Sequence, residues 1–560
     1  MSAERSDMWD RVEGTVDLLV IGGGITGCGV ARDAARRGLR VVLCEMGDLA
    51  SGTSSRSSKL VHGGLRYLEH YEFSLVFEAV SERRILLDIA PHLVNPLGFL
   101  FPVYKTSRHN LFTINAGMWL YDGLSLFRSP KLHRTLKPRD VATEEPGLTR
   151  EGLTGAPLYY DCSTDDARLT VENAVDAVKQ GAVVATWAKV RSFVKDEQAR
   201  VVGAMVEDMV SGEIKEVRAH SVVNCTGPWT DRTVAMSKAL STGPLLRPTK
   251  GVHIVVDAEK LPVRHAVVAT HPTDGRVLFA IPWGDRTYIG TTDTDYDGDP
   301  ADVAATGADV DYLLDAARAY FPGHPLERGD VIATWAGLRP LMAPVGAGGE
   351  IDESAVSREH QIIVGQDGLI TIAGGKLTTF RRMAGEVVDT AVKLLRLGNR
   401  LPDLSPANTD EEPLPGAVGW PADDDHQAVA HQVAEAAGGL LDGVQARHLA
   451  DTYGMRGIDL ARQVAGEPLL ATRLVPDRPE ILGQVDWAVR HELAARVVDV
   501  MVRRTQLYYR DPDQGLGATE AVADRMAKLL GWSEERRSDE VALYQAEVAR
   551  SRQWRDDPRT

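Results

Sequence analysis

At 560 residues the chain exceeds a typical compact domain, so two or three domains are expected. Its composition, 44% apolar and 25% charged, is that of a soluble globular protein. A net charge of −16 argues against a general nucleic-acid binder, which needs Lys and Arg in excess; a local basic pocket for a small anion stays open.

Residues 1–14 are polar and mixed in charge, without the apolar core and cleavage pattern of a secretory signal. No window reaches the roughly 18–20 apolar residues of a membrane-spanning helix. The expectation is an intracellular protein that can still lie on a membrane. An apolar strand, Asp17-Leu18-Leu19-Val20-Ile21, then runs into Gly22-Gly23-Gly24-Ile25-Thr26-Gly27. Helix-compatible sequence follows, and then Leu39-Arg40-Val41-Val42-Leu43-Cys44-Glu45. This is the order of a βαβ dinucleotide-binding unit. Gly22 permits the tight turn, Gly24 lets a pyrophosphate approach the backbone, and Gly27 lets the helix pack on the sheet. The amides at the helix start face the anion. Glu45, about 20 residues on, suits a ribose diol. Ile21, Ile25 and Thr26 complete this candidate adenine-dinucleotide site. Cys28, Cys44, Cys162 and Cys225 form no metal-like spacing and read as small buried residues of a reducing compartment.

Residues 96–130 mingle Phe99, Phe101, Phe112, Trp119, Leu120, Tyr121 and Leu126 with Lys105, Arg108, Arg128 and Lys131. A basic, aromatic, amphipathic segment suits a membrane interface, and equally a core or dimer helix. Residues 167–180 read as an amphipathic helix with Leu169, Ala174, Val175 and Val178 on one face. Strands follow at 182–186 and 201–206, and one at 219–225 stops at Thr226-Gly227-Pro228-Trp229, a second wall for a cofactor cleft. Residues 245–300 are rich in strand formers and predict an inserted antiparallel sheet. Residues 369–380 repeat the opening logic: an apolar strand, Gly374-Gly375, then a helix start carrying Lys376, Leu377 and Thr378. The Pro- and acid-rich residues 402–422 read as a linker. Helical sequence runs from there to 550, with Leu493, Val497, Val500 and Met501 at helix spacing.

One block is more specific than the glycine turn: Thr53-Ser54-Ser55-Arg56-Ser57-Ser58-Lys59-Leu60-Val61-His62-Gly63-Gly64-Leu65-Arg66-Tyr67-Leu68-Glu69-His70-Tyr71-Glu72-Phe73. It closely resembles the corresponding block of FAD-dependent glycerol-3-phosphate dehydrogenases. The resemblance continues through Asp165-Asp166-Ala167-Arg168-Leu169, Asn224-Cys225-Thr226-Gly227-Pro228-Trp229, Ile289-Gly290-Thr291-Thr292-Asp293, Gly337-Leu338-Arg339-Pro340-Leu341 and Gly374-Gly375-Lys376-Leu377-Thr378-Thr379. It covers about residues 15–395 in order; beyond them it rests mainly on position and on Arg503-Arg504-Thr505.

The resemblance implies an α/β (α+β overall) fold with a Rossmann-like FAD-binding domain of the glycine-oxidase or D-amino-acid-oxidase type. An antiparallel-sheet substrate domain is interleaved with it, and a C-terminal helical domain follows. The expected FAD-binding parts are about 15–60, 145–230 and 331–400, the substrate-cap parts about 61–144 and 231–330, the linker 401–422 and the helical domain 423–550. The implied activity is oxidation of sn-glycerol 3-phosphate to dihydroxyacetone phosphate, with electrons passing from FAD to membrane quinone. The expected location is the cytoplasm, peripherally on the cytoplasmic face of the membrane through residues 96–130, with a homodimer as candidate assembly and no nucleic-acid partner. The rivals are an oxygen-using glycerol-3-phosphate oxidase, a flavoprotein acting on an amino or hydroxy acid, and a non-catalytic scaffold binding FAD and a phosphometabolite.

Oxidising a secondary alcohol requires a C–H placed against the flavin, a proton acceptor, and a grip on the distal phosphate. Arg339, in an apolar Trp-Ala-Gly-Leu-Arg-Pro-Leu setting, suits a bidentate phosphate contact, and Arg358 is a candidate to join it. The alternative for either arginine is a structural ion pair. The family places Arg66 and Tyr67 in the substrate pocket. Lys376 suits stabilisation of negative charge on the reduced flavin or the substrate oxygen. His253, on an inserted strand, is the first candidate for the base, although a lone strand histidine is commonly a packed side chain. His62 competes with it and better suits cofactor contact. By resemblance, Ser54, Ser55, Ser58, Lys59, Gly63 and Gly64 also lie along FAD.

Overall fold

The computed structural model describes residues 4–68, 71–238, 243–343, 359–398 and 403–558. Two sheets organise the chain. The first has a parallel core ordered Ile370–Ala373, Ile214–Asn224, Gly14–Ile21, Val41–Cys44, Val183–Ala185, with Gln361–Val364 antiparallel at one edge. Leu18, Leu19, Val20 and Ile21 are all buried, as expected of a parallel strand covered on both faces. The helix Ile25–Arg36 follows the first strand directly. Gly22 sits at φ +109°, and a Cβ there would lie 2.6 Å from the Cys225 carbonyl oxygen. A Cβ at Gly27 would lie 1.8 Å from the Gly22 carbonyl oxygen, so helix and turn meet only because both residues are glycine.

The second sheet is largely antiparallel and carries the inserted strands. Its longest pairing joins Leu246–Asp257 to Val331–Met342, in register from Leu246 opposite Met342 to Val255 opposite Ala333, with a bulge before Val256 meets Val331. Two segments expected in the nucleotide-binding part, Leu153–Thr164 and Val331–Met342, hydrogen-bond in this sheet instead. Their apolar runs announce strands but carry no mark of which sheet receives them. One face of this sheet packs on the helix Gly307–Tyr320, and the other on C-terminal helices through Trp335, Tyr288, Tyr508 and Val548.

Three expectations change in detail. The helix Asp166–Lys179 forms, N-capped by Asp165, but its polar face is buried as well as its apolar one. Arg32 and Arg36 pair with Asp176, and Arg168 with Glu492, so ion pairs replace solvent along that face. The predicted linker is packed rather than free: Arg32 donates to the carbonyls of Thr409 and Glu412, and Leu414 is fully buried. Leu493, Val497, Val500 and Met501 are all buried, yet not on one continuous helix. Leu493 has φ +62°, and the Asp499 carboxylate caps the Ala495 and Arg496 amides, so the helical turn begins only at Val497 and widens into a π-helical segment, Asp499–Arg504.

Candidate functional site

A cleft of about 660 Å³ runs between the two sheets. At one end lie Gly22, Gly24, Ile25, Thr26, Glu45 and Met46, with Ala188, Lys189 and Val190 opposite. Glu45 is held from two sides: its Oε2 accepts from Gly23 N–H at 2.6 Å and its Oε1 from Gly47 N–H at 2.8 Å. Burial pushes its carboxyl up, and those two amides pull it back. The carboxylate therefore stands fixed beside a glycine-lined helix start, an arrangement suited to a ribose diol and a pyrophosphate. Ser54 Oγ accepts from Ile25 N–H at 2.9 Å and lines the same wall. Thr226, Gly227 and Trp229 form the second wall. Lys189 and Val190 line the cleft without any sequence signal, because a strand backbone forming a wall needs no particular side chain.

The other end is lined by Ser58, His62, His253, Thr291, Arg339, Gly374, Gly375, Lys376, Leu377 and Thr378. These residues come from five distant segments. Thr378 Oγ1 accepts from His62 N–H at 3.2 Å, tying two of them together. Lys376 sits in the turn before the helix Phe380–Leu397 rather than at its first residue. Arg339 is part-buried; its Nη1 donates to Asp293 at 2.7 Å and its Nη2 to Thr291 Oγ1 at 3.1 Å. The cation thus enters the cleft already oriented by a carboxylate.

His253 is only 3% exposed. Its ring stacks on Trp335, with centroids 4.8 Å apart and planes 16° apart, and its Nε2 lies 3.0 Å from Ser58 Oγ. Nδ1 is buried without a protein hydrogen bond. An orphaned lone pair costs less than an orphaned N–H, so this network assigns the proton to Nε2, donating to Ser58. A Cβ on Gly290 would lie 2.1 Å from the imidazole, so the glycine makes room for the ring. Burial, then the nearby Arg339 and Lys59 cations, hold the imidazole well below its usual pKa, hence neutral. Trp335 was missed as a site residue; only its place four residues before Arg339 hinted at it.

Several expected cofactor residues lie elsewhere. Lys59 points away from the cleft: its ammonium is buried against Asp166 at 2.7 Å, with Trp335 beneath it at 5.3 Å. Ser55 lines a separate cavity of about 50 Å³ with Tyr508 and Tyr509. Gly63 and Gly64 are buried outside the cleft lining, and a Cβ on Gly63 would lie 2.2 Å from the Tyr121 hydroxyl. The glycine at 63 therefore answers to the Tyr121–Asp161 packing, where the hydroxyl donates to the carboxylate at 2.8 Å, and Gly64 to its φ of +74°. Gly27 acts from behind the cleft through its contact with Gly22. Arg66 and Tyr67 fall in the short turn Leu65–Leu68, without a described side chain, and Arg358 lies outside the described residues.

No metal-holding cluster and no helix long and apolar enough to cross a membrane occur among the described residues. Bare glycines, a buried acid pinned by two amides and a two-ended cleft between sheets fit a flavin adenine dinucleotide.

Comparison with known proteins converges on the same reading. The family described as FAD dependent oxidoreductase matches residues 17–454, and the C-terminal domain of alpha-glycerophosphate oxidase matches residues 407–537. Glycerol-3-phosphate dehydrogenase 2 of Mycobacterium tuberculosis is 41% identical over 551 residues, spanning 98% of this chain and 90% of that one. The aerobic glycerol-3-phosphate dehydrogenase of Staphylococcus epidermidis is 37% identical, spanning 97% and 96%. Among solved structures, glycerol-3-phosphate dehydrogenase from Bacillus halodurans, complexed with FAD, superposes with a TM-score of 0.80 at 34% identity, covering 98% of each chain. L-alpha-glycerophosphate oxidase from Mycoplasma pneumoniae shares the fold, with a TM-score of 0.54 at 17% identity over 71% of this chain and 98% of that one.

Proposed function

The chain belongs to the FAD-dependent glycerol-3-phosphate dehydrogenase family, and we propose that it oxidises sn-glycerol 3-phosphate at C2 and delivers the electrons to a membrane quinone. The observation that carries the oxidation is a neutral, oriented imidazole and a carboxylate-held guanidinium at one end of a dinucleotide cleft. Bound FAD supplies the hydride acceptor. Residues Gly22, Gly24, Glu45 and Ser54 hold its ADP half, and Thr226, Gly374, Gly375 and Leu377 line its path. His253 takes the hydroxyl proton at Nδ1, because Ser58 occupies Nε2. Arg339 grips the phosphate, with Asp293 holding its guanidinium in place, and Lys376 stabilises negative charge as C2 becomes a ketone. Arg66, Tyr67 and Arg358 complete the substrate shell in this reading. Anaerobic titration with glycerol 3-phosphate tests it: the flavin absorbance bleaches stoichiometrically. A spectrum that stays oxidised overturns the reading in favour of a non-catalytic scaffold.

The quinone is supported by the helix Leu111–Leu124 and the turn after it. Phe112 is 82% exposed and Trp119 57%, and Leu120, Leu126 and Phe127 are also exposed, beside Arg128 and Lys131. An aromatic face rimmed by cations suits the headgroup region of an anionic leaflet, which supports a peripheral position on the cytoplasmic face. Flotation with anionic vesicles is expected for the native chain and lost in Phe112→Ser/Trp119→Ser. If that variant floats equally well and instead loses a dimer in sizing experiments, the face is a homodimer contact. One observation favours a second reading: the C-terminal segment matches a domain named for an oxidase. Rapid peroxide formation on an oxygen electrode, without added quinone, selects the oxidase.

A further inference from the structure

The cleft is lined by residues no later than Met383, so the described C-terminal helices contribute nothing to its surface. They nevertheless reach the loop that carries its ribose end. Three residues after Glu45, Asp48 is completely buried. Its carboxylate accepts from Arg503 Nε at 2.5 Å and from Arg504 Nη1 and Nη2 at 2.8 and 2.9 Å. Both arginines sit on the π-helical segment Asp499–Arg504, and its wide turn directs two consecutive side chains at one carboxylate. Arg503 also donates to Asp499 at 2.9 Å, and Arg504 to the Glu492 carbonyl at 2.7 Å.

The same segment holds the other side of the loop. Asp499 accepts from Trp187 Nε1 at 3.0 Å. The backbone amides of Trp187 and Ala188 donate to the carbonyls of Gly47 and Glu45, each at 2.7 Å. Residues 45–48 are therefore clamped between one strand end and one C-terminal turn. Charge adds to geometry. Asp48 alone would push the Glu45 carboxyl further up, and Arg503 opposes it, so the arginine keeps the acid a good acceptor.

We propose that the C-terminal domain is a working part of the cofactor site: Arg503 and Arg504 position Asp48, and through it Glu45, so that this domain sets the affinity for the ADP half of FAD. The proposal rests on the FAD reading of the cleft. Arg503 is a positioning residue, since it lies outside the cleft lining. Its test uses the full-length holoprotein and the equilibrium release of FAD, followed by flavin fluorescence. Arg503→Gln is expected to weaken FAD binding by about tenfold, and Arg503→Lys to restore much of it by returning the charge. Arg525→Gln is the control. It breaks a buried pair with Asp486, 2.5 Å, inside the C-terminal domain, so it lowers thermal stability but leaves the FAD dissociation constant within about twofold. Equal weakening by Arg503→Gln and Arg525→Gln, or no weakening by Arg503→Gln, overturns the proposal. If Arg503→Gln does not fold, Trp187→Phe removes only the indole donor to Asp499. A roughly threefold weaker complex then supports the proposal, and an unchanged one overturns it. A native chain that binds no FAD would overturn the FAD reading itself.

Discussion

The nucleotide end of the cleft offers backbone, whereas the reacting end offers side chains. At the first, Gly22, Gly24 and Gly27 bring amides and carbonyls together within one turn, and Glu45 is pinned by two amides. At the second, Ser58, His253, Arg339 and Lys376 converge from separate segments, and their charges interact: Arg339 and Lys59 both help keep His253 neutral. The first end fails through lost shape, because an added Cβ collides with a carbonyl oxygen. The second fails through lost charge or orientation. Damage at the first should release cofactor, and damage at the second should slow chemistry with cofactor still bound.

The largest expected effect tests that separation directly. His253→Ala removes the proton acceptor and is expected to slow anaerobic flavin reduction by about 10²–10⁴-fold, with FAD retained. Stopped-flow absorbance measures the rate, and protein-bound flavin measures retention. An unchanged rate removes His253 as the base, whereas loss of FAD would mean the two ends do not fail separately. Arg339→Ala comes next. It strips the phosphate of its cation and leaves Asp293 facing the anion, so both changes act in the same direction. Truncating one partner of a part-buried charge pair costs about 2–4 kcal/mol, or roughly 30- to 1000-fold in kcat/KM, expressed mostly as a raised KM. An unaltered affinity for glycerol 3-phosphate would end the phosphate role of Arg339.

The two ends also differ in how far they are legible in the sequence. Glycine spacing and Glu45 lie within one local unit, so their geometry follows from chain order. Lys59, Ser55, Gly63 and Gly64 sit in an equally recognisable block, but the block does not tell which face each residue takes. Lys59 faces Asp166 and Gly63 faces Tyr121, contacts made more than fifty residues away. The same blindness hid Trp335 against His253 and Asp293 against Arg339. In the C-terminal part, the apolar stripe from Leu493 to Met501 correctly marked burial. Its backbone could not be read, since the Asp499 side chain that caps Ala495 and Arg496 replaces a helical turn.

Acid separates the reacting end from the buried ion-pair network around Glu492, because the two titrate in different windows. Burial alone would raise the Glu492 carboxyl, but Arg168 and Arg456 outweigh it and hold it at about 2. Its ordinary value is about 4.5, so the unfolded chain takes the proton first. The contribution to stability, roughly 3 kcal/mol for a fully buried group, is complete above that ordinary value and disappears as pH falls toward 2. His253 is also depressed, so the unfolded chain gains a proton there as pH falls below about 6.5. Urea midpoints measured against pH should therefore fall in two stages, the first absent in His253→Gln and the second absent in Glu492→Gln. A single transition common to all three proteins would contradict the assignment.

The smallest effect separates orientation from chemistry within the reacting end. Ser58 Oγ accepts from the neutral Nε2–H, and more strongly from the imidazolium formed when Nδ1 takes a proton. Ser58→Ala removes a bond worth about 1 kcal/mol, so reduction should slow roughly threefold to tenfold. The Michaelis constant should hold, because Ser58 does not touch the phosphate grip. Losing an acceptor that favours the charged ring also moves the His253 pKa further down, shifting the acid limb of the rate profile toward lower pH. An unchanged rate and profile would free His253 from Ser58. A loss beyond about 100-fold would mean that the serine hydroxyl itself relays the proton, placing Ser58 in the chemistry rather than beside it.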